Sequence, residues 1–114
     1  MHELGIVFHI IDSVETVGKE NGLQAVSSVT LELGEVSTVI DSYLLDCWKW
    51  AAARSALLRS AELRIEKIEA VTVCETCGKT YGTVAHGKTC PHCGSGETHL
   101  VTGNEVEIKE IEAC

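Results

Sequence analysis

The six cysteines of this 114-residue chain are unevenly spaced, since four of them form two C-x2-C pairs separated by twelve residues: Cys74, Cys77, Cys90 and Cys93. Two residues between thiols let each pair wrap around one ion, and Gly78 and Gly94 permit the tight turn that follows each pair. Four thiolates in a tetrahedron suit Zn²⁺ and leave no coordination position for water. The spacing therefore predicts a structural zinc site, whose binding energy, on the order of 10 kcal/mol, folds the surrounding segment.

The same four sulfurs also accept iron, and "CPHCG" resembles a rubredoxin knuckle. Rubredoxin-like iron sites are packed in aromatic side chains, whereas Tyr81 is the single aromatic residue of this stretch. The spacing alone thus leaves two alternatives to a purely structural zinc site, which are a zinc-ribbon binding module and a rubredoxin-like electron carrier. His86, His92 and His99 lie in or near the module and are interpreted as exposed loop residues.

Outside residues 71–103, the hydrophobic pattern predicts two helices and three strands. Apolar residues recur every three or four positions from Leu4 to Val17 and stop at Asn21-Gly22, which is typical of an amphipathic helix with a glycine terminus. A second helix is predicted over Tyr43–Leu58, with Trp48 and Trp50 as packing residues. Alternating apolar and polar residues predict strands in "SSVTLELGE", "AELRIEK" and "NEVEIKEI".

These elements predict an α+β fold in which two helices lie on a small mixed three-stranded sheet. The last strand follows the cysteine-rich segment, and an isolated strand there would leave its apolar face in water. We therefore expect it to return to the first sheet. The first domain is then discontinuous, residues 1–70 and 104–114, with a zinc-ribbon-like module inserted at 71–103.

The first residues, "MHELGI", offer a second kind of metal site. The terminal amine of Met1 with the amide and imidazole nitrogens of His2 would form two fused chelate rings, and in-plane nitrogen donors favour Ni²⁺ or Cu²⁺. A fourth donor can come from the amide or carboxylate of Glu3, or from Asp41 if folding brings it near. The spacing does not choose between them.

Charge and composition argue against several other functions. Nine basic and seventeen acidic residues give a net charge of -8, which repels nucleic acid and anionic membranes. No apolar run approaches the roughly 20 residues that span a bilayer, and no signal peptide is evident, so we expect a cytoplasmic protein. We find no nucleophile with its base, no phosphate loop and no acid–base carboxylate pair, so no catalytic residue is predicted. Helix and sheet edges permit a homodimer.

Four segments, taken in order along the chain, resemble the HypA/HybF family of hydrogenase, and in some organisms urease, nickel-incorporation proteins: "MHELGI", "LELGEVS", "CPHCGS" and "GNEVEIKEIE". The resemblance implies a metallochaperone that holds nickel at Met1, His2 and Glu3 and structural zinc at the four cysteines. It further implies delivery to a hydrogenase large-subunit precursor with the help of a partner GTPase. Gly34 and Glu35 match the family's Gly-Glu. Residues 43–60 depart from the family pattern, and no histidine closely follows either cysteine pair.

Overall fold

The computed structural model describes residues 3–114. Along this part of the chain the elements are α1 (Glu3–Asn21), β1 (Val26–Gly34), α2 (Asp41–Ala52), β2 (Glu62–Ile68), β3 (Val71–Cys74), β4 (Thr80–Gly82), α3 (Thr83–His86), β5 (Thr98–Thr102) and β6 (Val106–Ala113). Among the described residues, no helix has the length and apolarity needed to cross a membrane. The chain divides into two compact units, one of residues 3–31, 39–66 and 107–114, the other of residues 32–38 and 67–106.

Helix α1 forms because its apolar residues recur at helical spacing. Val7, Ile10, Ile11 and Val14 are buried, and α1 packs against α2. The helix ends at the predicted glycine, since Gly22 has φ +64° and the Leu23 N–H bonds to the Gly18 carbonyl at 2.9 Å. This is the left-handed turn for which glycine has no steric penalty.

The first sheet has the strand order β2-β1-β6 and is mixed, as predicted. The N–H of Val26 bonds to Leu57 O and that of Glu35 to Ile68 O, so β1 and β2 run in the same direction. Strands β1 and β6 run antiparallel. The N–H of Cys114, just after β6, bonds to the carbonyl of Ala25, just before β1, and the N–H of Gly34, at the end of β1, bonds to the carbonyl of Glu105, just before β6. The last strand does return to the first sheet.

Helix α2 differs from the prediction at its C-terminal end. It ends at Ala52 rather than Leu58, and turns follow in which Arg54 N–H bonds to Ala51 O at 3.1 Å. The Ser55 hydroxyl donates to the Glu15 carboxylate on α1 at 2.9 Å, which holds the chain away from a helical path. The two tryptophans also differ from each other. Trp48 is buried, whereas Trp50 is 50% exposed and packs edge-on against the Phe8 ring at the surface, with ring centroids 6.2 Å apart.

The cysteine-rich segment contains its own antiparallel sheet of order β4-β3-β5, which the hydrophobic pattern had not predicted. These strands have three to five residues, too few for a recognisable alternation. Cys74, Tyr81 and Cys90 are the buried residues that form a small cluster in this segment. Residues 71–103 thus lie within the second compact unit.

Candidate metal centre

The two C-x2-C pairs form two turns of the same construction. In the first, Gly78 N–H bonds to the Cys74 carbonyl at 2.8 Å, and in the second Gly94 N–H bonds to the Cys90 carbonyl at 2.8 Å. Both glycines have φ +77°, a conformation that a Cβ atom disfavours. The sequence prediction of a tight glycine turn after each pair is confirmed.

Folding brings the four thiols into one cluster, in which all four Sγ atoms lie within 4.8 Å of one another. The Sγ atoms of Cys74 and Cys93 are 3.6 Å apart, and those of Cys77 and Cys90 are 3.7 Å apart. Metal–sulfur bonds of about 2.3 Å in a tetrahedron place the sulfurs roughly 3.8 Å apart. The donor set therefore fits a single metal ion with four thiolate ligands. Each of the two close sulfur pairs joins one sulfur of the first turn to one sulfur of the second.

Backbone N–H groups point at the sulfurs that would carry negative charge. The N–H of Cys77 lies 3.5 Å from Cys74 Sγ, and that of His92 lies 3.4 Å from Cys90 Sγ. The Cys77 N–H, as the largest contribution, lowers the pKa of Cys74 to about 6. Such N–H···S contacts stabilise thiolates and so favour metal binding at neutral pH.

The crowding of four sulfurs opposes the loss of all four protons unless a cation is present. The Ser95 backbone acts to lower the pKa of Cys93, but the adjacent Cys74 sulfur and desolvation outweigh it and raise that pKa to about 12. A bound dication removes this conflict, because the thiolates then coordinate it rather than repel one another. Cys74 and Cys90 are buried, while Cys77 and Cys93 are exposed.

The three histidines of the module are exposed, as the sequence interpretation expected, but His86 and His99 are not loop residues, because they lie on α3 and β5. His99 lies on β5, where its Nδ1 is 2.9 Å from a Glu75 carboxylate oxygen, and the His86 ring contacts the Tyr81 ring edge-on. Neither belongs to the cluster of four sulfurs, nor does His92.

Part of the predicted nickel site is described by the structure. Met1 and His2 lie outside the described residues. The Glu3 side chain is 9% exposed, and its Oε2 accepts a hydrogen bond from the N–H of Ile40 at 3.2 Å. Ile40 directly precedes Asp41, the first residue of α2, so the start of α1 lies beside the start of α2.

The Gly-Glu loop after β1 has a structural role that the sequence did not reveal. The Glu35 carboxylate accepts the Ala70 N–H at 3.0 Å, while the Glu35 N–H donates to Ile68 at 2.8 Å. On the far side of the cysteine segment, the Glu105 carboxylate accepts the Gly103 N–H at 2.7 Å and the Thr102 hydroxyl. Both carboxylates thus accept backbone N–H groups where the chain enters and leaves the segment.

Comparison with known proteins agrees with this arrangement. A family model described as "Hydrogenase/urease nickel incorporation, metallochaperone, hypA" matches residues 1–113. The chain belongs to this family. The hydrogenase maturation factor HypA of Chlorobium phaeobacteroides (strain BS1) is 38% identical over 111 residues, 97% of either chain. HypA of Geobacter metallireducens is 34% identical, and the maturation factor HybF of Klebsiella pneumoniae is 30% identical, each over 98% of both chains.

The HypA fold is also found among solved structures. The solution structure of the Ni metallochaperone HypA from Helicobacter pylori matches with a TM-score of 0.75 at 23% identity, covering 99% of this chain and 97% of that one. A second solution structure of a HypA protein matches with a TM-score of 0.78, also at 23% identity. The predicted α+β fold and the predicted family are both confirmed, and the family is one of metallochaperones and maturation factors.

Proposed function

We propose that this protein binds Ni(II) at its N-terminus and delivers it during maturation of a [NiFe]-hydrogenase. The ligands are the amine of Met1 and the amide and imidazole of His2, with Glu3 and Asp41 as the candidates for the remaining donor. The supporting observation is the hydrogen bond between the Glu3 carboxylate and the Ile40 N–H, which holds the start of α1 next to Asp41.

That hydrogen bond also favours one assignment for Glu3. Its side chain is buried and already accepts a backbone N–H, so its carboxylate acts in positioning and its own amide nitrogen is the better donor to nickel. In-plane nitrogen donors favour Ni²⁺ over Zn²⁺. A site at a chain terminus also suits a cargo ion, because the donors can separate without unfolding a core.

Unlike the N-terminal site, the four-cysteine cluster does not hold a cargo ion, and we assign it to a resident Zn²⁺. When bound, Zn²⁺ supplies a fixed cross-link between the two cysteine turns and no open position for chemistry. The protein's own contribution is the pair of glycine turns and the N–H groups directed at Cys74 and Cys90. We further propose that residues 71–103 fold as a domain only when this ion is present.

The partners follow from the proposed delivery. A maturation factor must meet the hydrogenase large-subunit precursor, and we propose that a maturation GTPase accompanies the transfer. Cys114 is exposed and belongs neither to a disulfide nor to the four-sulfur cluster, which suits a reducing compartment and favours the cytoplasm.

The decisive experiment is a calorimetric nickel titration of the zinc-loaded native chain beside three variants. One variant carries an extra residue before Met1, the second is His2→Ala, and the third is His9→Ala, a control on the exposed side of α1. We expect the first two to lose nearly all nickel binding while retaining zinc, and the control to bind normally. Combining the first two should cost little more than either alone, since both break one chelate. Native affinity in the extended protein would rule out the amine as a ligand and, with it, this site.

A further inference from the structure

The loop between β1 and α2 contains a strained backbone residue. Thr38 has φ +65°, and among residues 3–114 it is the only residue other than glycine with a positive φ. The left-handed region is disfavoured by any Cβ atom, and most strongly by a side chain that branches at Cβ, as that of threonine does. Such strain persists only where the surrounding structure imposes it, and it is concentrated at functional sites.

The residues before Thr38 are anchored by backbone hydrogen bonds. The N–H of Val36 donates to the Gly103 carbonyl at 2.8 Å, and the N–H of Ser37 donates to the Gly34 carbonyl at 3.1 Å. Ser37 is also buried, and its carbonyl accepts the Thr38 hydroxyl at 2.6 Å. The chain therefore reaches Thr38 in a fixed position and direction.

The residues after Thr38 are held by a different set of contacts. Val39 is buried, and the N–H of Ile40 donates to the Glu3 carboxylate at 3.2 Å. The Ile40 carbonyl accepts the Leu44 N–H at 3.0 Å, which forms the first turn of α2. Rotation about φ of one residue redirects everything that follows it. With the preceding residues fixed, an ordinary negative φ at Thr38 would turn the Ile40 N–H away from Glu3.

We propose that Thr38 is a positioning residue for the N-terminal nickel site, acting through the contact between Ile40 and Glu3. This inference rests on the proposed function. The left-handed conformation of Thr38 directs the Ile40 N–H at the Glu3 carboxylate, while the branched Cβ opposes that conformation, so opening the contact releases strain. The contact is thus formed but weakly held. Thr38 thereby speeds the release of nickel, which suits a site that must give up its ion.

Three substitutions in the full, zinc-loaded chain separate strain from other effects. Thr38→Asn lowers the strain, because asparagine tolerates the left-handed region and still carries a Cβ. Thr38→Val keeps the branched Cβ and removes only the hydroxyl. Thr16→Asn, on the exposed side of α1, is the matched control for the change of residue type. Glycine is avoided at residue 38, since it would also loosen the open loop.

Hydrogen exchange of the nickel-free protein measures the contact alone. In the wild type the Ile40 N–H should exchange faster than that of Leu31 in the central strand, because the contact opens without global unfolding. Thr38→Asn should slow exchange at Ile40 about five-fold and leave Gly94 unchanged, whereas Thr38→Val and Thr16→Asn should not slow it. Wild-type exchange at Ile40 in Thr38→Asn would overturn the proposal, as would a wild-type Ile40 that exchanges as slowly as Leu31.

The rate of nickel loss to excess nitrilotriacetate measures the consequence for the cargo ion. Thr38→Asn should lose nickel about five-fold more slowly than the wild type while it retains zinc, and Thr38→Val should lose it no more slowly. Slower exchange at Ile40 with unchanged nickel loss would limit Thr38 to a role in the fold and overturn its role at the site.

A chain with one residue added before Met1 distinguishes that failure from failure of the proposed function. If the extended chain binds nickel normally, the N-terminal site is wrong and the role of Thr38 in nickel release falls with it. If the extension abolishes nickel binding while Thr38→Asn leaves nickel loss unchanged, the site stands and only the role of Thr38 is wrong.

Discussion

The carbonyl oxygen of Gly103 fills the position that a Cβ atom at residue 34 would occupy. Gly103 is itself confined, because its φ is +120° and a Cβ there would overlap the backbone of Ala70. The N–H groups of Gly34 and Val36 bond to Glu105 and Gly103 at 2.8 Å each. The loop after β1 and the segments at both ends of the metal module are therefore in direct backbone contact.

Gly34→Ala should destabilise the protein by about 2 kcal/mol or more, since backbone atoms cannot move aside as a flexible side chain would. Gly96 has nothing within 4 Å of its Cβ position, so Gly96→Ala should stay within about 0.5 kcal/mol of the wild type. Denaturant unfolding of the zinc-loaded proteins measures both changes. Equal stability of the two variants would mean that the close contact at residue 34 does not exist.

Cys74→Ala should release zinc and unfold residues 71–103 while α1 and α2 persist, because only the small module lacks an apolar core of its own. Cys47→Ala and Cys114→Ala serve as matched controls, since neither thiol belongs to the cluster. Metal analysis measures the loss of zinc, and far-ultraviolet dichroism measures the loss of secondary structure. One full equivalent of zinc in Cys74→Ala would contradict the assignment.

Protein made in ordinary medium should contain zinc rather than iron. A red, reversibly reducible protein would instead support an electron carrier.

Glu3→Ala should cost about 1–3 kcal/mol, because the N–H of Ile40 loses its acceptor in a partly buried position. Glu3→Gln keeps a side-chain oxygen and should cost less. Nickel titration separates positioning from coordination: if the carboxylate only positions the site, Glu3→Gln binds nickel as the wild type does. A Glu3→Gln protein that folds normally but fails to bind nickel would make the carboxylate a ligand.

Glu105 should make stability depend on pH. The Thr102 hydroxyl, as the first cause, and the Gly103 N–H lower the pKa of Glu105 from its ordinary value of 4.5. The folded state thus favours the carboxylate, whose contribution is complete above pH 4.5 and is lost as pH falls through the lower folded-state pKa. Glu105→Gln should therefore be less stable than the wild type at neutral pH, and the difference should shrink on acidification. Hydrogen exchange of the Gly103 N–H measures how this stability difference changes with pH, and Glu107→Gln serves as the control. A difference that is independent of pH would exclude the carboxylate as its source.

The sequence predicted the elements whose pattern is long enough to be read locally. The helical spacing from Leu4 to Val17 and the alternation of Val29, Leu31 and Leu33 both correspond to observed elements. The glycine turns after Cys77 and Cys93 were predicted equally well, since each turn depends on a few neighbouring residues.

What the sequence did not predict depends on contacts between distant residues. Helix propensity favours continuing α2 through "AAARSALL", but Ser55 bonds to Glu15, forty residues away, and the helix ends at Ala52. The sequence predicted packing for both Trp48 and Trp50 without distinguishing them, and only the fold shows that Trp48 is buried while Trp50 lies at the surface. The roles of Glu35 and Glu105 likewise required the positions of Ala70 and Gly103.

The strand order β2-β1-β6 has a consequence for synthesis of the chain. The central strand β1 is translated early, yet its second neighbour, β6, comprises residues 106–113, and all four cysteines precede it. During translation the metal module is therefore complete while β1 still has one side unpaired. Every residue of the four-sulfur cluster is thus translated before the strand that gives β1 its second neighbour, so the metal module does not depend on a closed first sheet for its cysteine ligands.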